Sequence, residues 1–322
     1  MTTPRYVLFF LLLISLPGLR ASASADALVA TTGMIGDVAE NVVGDRAKVT
    51  TLLGSGIDPH LYKPTRTDIG VLSNAELVLA NGLLLEGKMT DALDRLRSAG
   101  RSVIAVAERI PRDRLLAPPE FAGHFDPHVW MDPTLWAVVA ETIRDAAMER
   151  FPAHAATFRS QADDYVRKLA DLDRYVSSSM NSIPENARVL VTAHDAFSYF
   201  GRRYHLEVVG IQGISTESEA GVKDVERIVA MLVDRKIPAV FVESTVPQKS
   251  VEALIEGARA RGHHVRIGGE LFSDAMGRRG TYEGTYIGMI DHNATLIARA
   301  LGGSAPAAGF QGKLALTNDH QK

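Results

Sequence analysis

Asp126-Pro127-His128-Val129-Trp130-Met131-Asp132-Pro133 decides how the chain is read, because its first three residues repeat Asp58-Pro59-His60. Proline fixes its own φ and keeps the aspartate before it out of helical conformations, so each histidine stands on a stiff turn. After Asp132-Pro133, the run 134–150 carries Leu135, Val138, Val139, Ile143 and Ala146 at the spacing of one helical face, and Phe151-Pro152 ends it. A third histidine stands in Thr192-Ala193-His194-Asp195, directly after the apolar strand Arg188-Val189-Leu190-Val191-Thr192. Taken singly, each histidine reads more readily as a loop cap or an imidazole hydrogen-bonded to a carbonyl than as a ligand. Their recurrence suggests that separate βα units each bring one imidazole to a common point.

Outward from these stretches, short apolar runs alternate with helical spacing. Strands are expected at 28–31, 47–53, 77–80 and 102–107, and helices at 34–43, 65–73 and 89–98, with Thr65 as an N-cap. Residues 110–123 lose their periodicity and read as a loop. The stretch 153–180 reads as one helix about 42 Å long at 1.5 Å per residue, enough to run along two bodies as a strut. The alternation then restarts, with strands at 188–192, 206–211, 239–243 and 264–267. The fold class is therefore α/β, two Rossmann-like lobes with parallel sheets joined by one long helix. The expected boundaries are 26–152 for the N-terminal lobe, 153–182 for the connecting helix and 183–303 for the C-terminal lobe. A flexible tail, 304–322, follows Gly302-Gly303. Ligands of open α/β sheets sit at the carboxyl ends of strands.

Residues 1–25 read as a cleavable signal peptide: Arg5 supplies a positive start, residues 7–19 an apolar core, and Ala21-Ser22-Ala23-Ser24-Ala25 a small-residue cleavage site. The apolar core falls short of the roughly 20 residues that span a bilayer. No cysteine occurs in the sequence. Lipid attachment through a thiol and disulfide stapling are thereby excluded, so a periplasmic protein is expected, with any metal site limited to nitrogen and oxygen ligands. A formal net charge of −3 gives no footprint for nucleic acid.

A fourth candidate is Asp274, in Gly268-Gly269-Glu270-Leu271-Phe272-Ser273-Asp274, read as a glycine-flanked loop after a strand. The alternative for this carboxylate is an Asx-turn or a helix cap. Together with Ile214-Ser215-Thr216-Glu217-Ser218-Glu219, these four stretches resemble the TroA-like, cluster A-I group of ABC-transporter solute-binding proteins for zinc and manganese. The resemblance runs from about residue 28 to 301. It implies two four-stranded lobes on one long helix, with one divalent metal ion held as cargo by His60 and His128 from the first lobe and His194 and Asp274 from the second. It also implies delivery to an ABC-transporter membrane permease. The chain is expected to act as a monomer.

Three imidazoles and one carboxylate suit zinc by softness and size, while bidentate Asp274 would give manganese five donors. Glu243, at the end of a strand, is either an acceptor for a ligand imidazole or a surface residue. His124 reads as exposed, beside the second motif. The rival classes are a zinc-dependent hydrolase and a surface adhesin with incidental metal. No His-Glu-x-x-His helix or nucleophile elbow supports the first, and no adhesive repeat the second, so the chain is not read as an enzyme.

Overall fold

Leu28–Ala30 (β1) is buried on both faces, as a strand covered by helices on either side must be. The computed structural model describes residues 28–121 and 123–315, so the expected signal peptide lies outside the described residues. After β1 come Gly33–Val43 (α1), Val49–Thr51 (β2), Arg66–Asn74 (α2), Leu77–Ala80 (β3), Thr90–Ser98 (α3) and Val103–Ala105 (β4). The four strands form one parallel sheet in the order β2-β1-β3-β4, with Val29 beside Thr50 on one side and Val78 on the other. Thr65 caps α2 as expected, accepting from the Asp68 N–H while the Asp68 carboxylate accepts from the Thr65 N–H.

Pro133–Arg150 (α4) and Ala155–Asn181 (α5) follow. The buried face of α5 carries Phe158, Ala162, Tyr165, Leu169, Leu172, Val176 and Met180, a stripe three or four residues apart. Beyond it lie Val189–His194 (β5), Ser198–Tyr204 (α6), Glu207–Gln212 (β6), Val222–Asp234 (α7), Ala239–Glu243 (β7), Lys249–Ala260 (α8), Arg266–Leu271 (β8) and Tyr286–Ala300 (α9). Helix α5 packs against α1, α4, α6 and α9. One apolar cluster runs from β1 and α1 through α4 and α5 to α9, and two smaller clusters fill the outer layers. Among the described residues no helix is long and apolar enough to cross a membrane.

Three features depart from the sequence expectation. In the second half the strands pair as β5-β6 and β7-β8, both parallel, instead of forming one four-stranded sheet. At the carboxyl end of β5 the His194 N–H is taken by the Glu243 side chain rather than by a strand carbonyl. Second, Gly268 and Gly269 lie inside β8, not in a loop after it, because neighbours come too close for a side chain. A Cβ on Gly268 would meet the Phe241 ring at 2.6 Å, and one on Gly269, whose φ is +141°, would meet Leu296 at 2.5 Å. Third, residues 305–314, expected in the loose tail, fold back onto the body. Ala305 and Leu314 are buried, the Phe310 N–H donates to Asp291 at 2.8 Å, and Lys313 lies over the Tyr282 ring.

Candidate metal centre

Both Asp-Pro-His corners close in the same way: the aspartate accepts a hydrogen bond from the N–H of the histidine two residues on. The distance is 2.8 Å from His60 to Asp58 and 2.9 Å from His128 to Asp126. This Asx-turn, with proline at its middle, holds each imidazole at a fixed point. The turn at His128 is tied further, since the Asn81 amide donates to the Pro127 carbonyl at 3.1 Å and the Tyr199 hydroxyl donates to the Asp126 carbonyl at 2.9 Å. Asp132 caps α4 by accepting from the Thr134 N–H, so a helix begins five residues past the ligand candidate. His194 is the last residue of β5, and Asp274 lies three residues past the end of β8.

The structure brings all four sequence-predicted residues together, with exposures of 3% for His60, 0% for His128 and His194, and 2% for Asp274. The Asp274 Oδ1 lies 3.4 Å from His128 Nε2, and its Oδ2 lies 3.2 Å from His194 Nε2 and 3.7 Å from His60 Nε2. The two histidine Nε2 atoms of the first half are 3.4 Å apart. His194 Nε2 and both Asp274 oxygens are buried without a hydrogen-bond partner, although such atoms lose heavily when desolvated alone. Donors on bonds of about 2.1 Å around one tetrahedral ion stand about 3.4 Å from each other. These separations bracket that spacing, and all the donor atoms lie within 4.8 Å of one another.

Partners on the far side of two rings fix which nitrogen faces the centre. His128 Nδ1 donates to Asp126 at 2.7 Å, and Glu243 accepts from both the His194 N–H at 2.8 Å and His194 Nδ1 at 2.5 Å. A carboxylate only accepts, so in the neutral ring the proton sits on Nδ1 and Nε2 keeps its lone pair. Burial disfavours charge on His128, but Asp126 and Asp274 outweigh it and raise its pKa to about 9. His194 moves the same way, with Glu243 and Asp274 overcoming burial. Burial dominates at His60 and lowers it to about 4. For Asp274, burial is outweighed by His194 and His128, which hold the carboxyl well below its usual range. Four groups thus share a buried space that favours positive charge at its centre.

Sequence reasoning left Glu243 open and did not find several supports. Trp130 Nε1 donates to the Ser273 carbonyl at 2.9 Å, next to Asp274, and the Tyr286 hydroxyl donates to the Trp130 carbonyl at 2.7 Å. Buried Glu86 accepts from Thr31 and from the N–H groups of Asn81 and Gly82, joining the ends of β1 and β3. Trp130 lies inside the quoted motif, which is the one signal that could have pointed to it. His124 is exposed against Phe121, His263 donates to the Ile237 carbonyl, and His292 donates to the Glu270 carbonyl, so none joins the centre.

Comparison with known proteins gives the same picture of the fold. Manganese-binding lipoprotein MntA of Bacillus subtilis (strain 168) is 48% identical over 284 residues, 87% of this chain and 92% of that protein. Zinc-binding protein TroA of Treponema pallidum (strain Nichols) is 46% identical over 282 residues, 87% of this chain and 91% of that one. The solved structure of the periplasmic zinc binding protein TroA from Treponema pallidum superposes with a TM-score of 0.84 at 46% identity, covering 86% of this chain and 99% of its own. A family model described as zinc-uptake complex component A, periplasmic, matches residues 28–300, and the chain belongs to that family.

Proposed function

We propose that this chain captures one divalent transition metal ion, zinc or manganese, as cargo, and delivers it to the membrane permease of an ABC transporter. His60, His128, His194 and Asp274 are its ligands in this reading. The observation that carries it is the convergence of three imidazole nitrogens and one carboxylate within 4.8 Å of one another, buried, with His194 Nε2 and both Asp274 oxygens lacking any other partner. The names of its relatives support the same class of cargo. Zinc fits the nitrogen-rich shell, and manganese fits if Asp274 binds through both oxygens, which face the same point. A buried shell whose donors all face one ion serves capture rather than turnover. The work is done outside the cytoplasmic membrane, for which residues 1–25 have the pattern of an export signal.

The test is metal content of protein purified without added metal, then competitive zinc and manganese titration of wild type and Asp274→Ala. We expect one equivalent per chain, with affinity at least about a hundredfold weaker in the variant, which loses the only anionic donor. No stoichiometric metal in the wild type would overturn the proposal.

A further inference from the structure

The segment 213–221, between β6 and α7, takes no part in the ligand set, yet it bridges the cleft. At its stem, β6 pairs with β5 so that Gln212 lies beside His194, and the Asp195 N–H donates to the Gly213 carbonyl. Ile214 is buried and anchors that end. At its tip, the Thr216 hydroxyl donates to Asp58 Oδ2 at 2.6 Å, while the other oxygen of the same carboxylate holds the His60 N–H. One residue on, Glu217 pairs with Lys88 at 2.5 Å. Lys88 lies in the 3-10 turn Gly87–Met89, which packs so closely on His60 that a Cβ on Gly87 would meet the His60 carbonyl oxygen at 2.4 Å. One tip contact therefore ends on the turn that presents His60, and the other on the turn packed against it. One short loop is fixed at one end beside His194 and at the other beside His60.

We propose that this loop is a latch, in which Thr216 is a positioning residue that holds the His60 turn across the cleft and so sets the rate of metal release. The inference rests on the metal-capture reading above. The two contacts differ in weight. The hydroxyl bond goes to a half-buried carboxylate that also shapes the ligand turn, whereas Lys88 and Glu217 are each about half exposed and screened by salt. Thr216 carries the latch and the ion pair trims it.

The experiment loads wild type, Thr216→Val and Thr216→Ser with Zn2+, mixes each with excess EDTA in a stopped-flow instrument, and follows tryptophan fluorescence, to which Trp130 contributes with its ring 5.2 Å from that of His128. Thr216→Val is expected to release zinc about tenfold faster, as loss of one hydrogen bond to a charged group implies, with the association rate unchanged. Thr216→Ser, which restores the hydroxyl, is expected to release at the wild-type rate. The absorption spectrum of the Co2+ form is expected to be the same in all three, since no ligand is altered. Release from Thr216→Val at the wild-type rate overturns the latch while leaving metal capture intact. An altered Co2+ spectrum in Thr216→Val also overturns it, since Thr216 would then shape the ligand shell itself. A wild type that binds neither Zn2+ nor Co2+ overturns metal capture and the latch with it.

Discussion

Glu243 uses one carboxylate oxygen for the backbone N–H of His194 and the other for its ring, so it decides which ring nitrogen is left bare. An amide in its place has one accepting atom and one donating group. If the NH2 faces Nδ1, the ring proton moves to Nε2 and blocks coordination. Glu243→Gln is therefore expected to weaken metal affinity about 10–100-fold while the protein stays folded, checked by competitive titration beside a thermal melt. A variant with wild-type affinity would show that Glu243 does not set the tautomer. His60 and His128 were legible in the sequence because a stiff turn is a local event: Asp-Pro-His is written in three adjacent residues, whereas His194 was read from the strand before it and Asp274 from its loop and the family resemblance. Glu243 lies 49 residues from the histidine it orients, and Thr216 lies 158 from Asp58. Contacts between residues so far apart leave no spacing to read.

Asp37 joins three helices: it lies on α1, accepts from the Tyr165 hydroxyl of α5 at 3.1 Å, and accepts from the backbone N–H of Tyr286 at the start of α9. Burial is the largest influence on it and pushes its pKa up to about 6 from an ordinary 3.8. A carboxyl with a raised folded pKa contributes stability that is complete below about pH 4 and is lost as pH rises through about 6. A tenfold change in proton affinity is about 1.4 kcal/mol, and because Asp37 borders a cavity of about 130 Å³, we discount the effect to about 1–2 kcal/mol. Asp37→Asn, which mimics the protonated acid, is expected to gain that much on wild type between pH 4 and 7, measured by urea unfolding of the metal-free proteins. A difference independent of pH would refute it. At this scale periodicity served the sequence reading well for α4 and α5, whose apolar stripes repeat for four turns or more. It failed at Gly268-Gly269, where the usual strand-ending residues are instead demanded by Phe241 and Leu296. It failed again at residues 305–314, where ten residues rich in glycine and alanine carry too little pattern to announce their docking on α9.

For the whole molecule, the metal-free centre holds protons that the metal must replace. His60 is already neutral at pH 7, whereas His128 keeps a proton up to about pH 9 and His194 is shifted in the same direction. Binding a divalent ion near neutrality is thus expected to expel about two protons, and affinity falls as pH drops across this whole range. Free imidazoles alone would place the transition near pH 6.5; buried acidic partners at Asp126, Glu243 and Asp274 move it upward. Calorimetry in buffers of different ionisation enthalpy counts the protons. Binding with no proton release between pH 6 and 8 would argue against imidazole ligation. The long helix α5 adds a mechanical consequence. At 27 residues and 1.5 Å each it is about 40 Å long, which makes it a beam with arms of about 20 Å. A tilt of about 3° on such an arm moves its end by about 1 Å, several times the roughly 0.2 Å tolerance of a metal–ligand bond. With leverage of this kind, a rotation of a few degrees would be enough to undo the proposed grip.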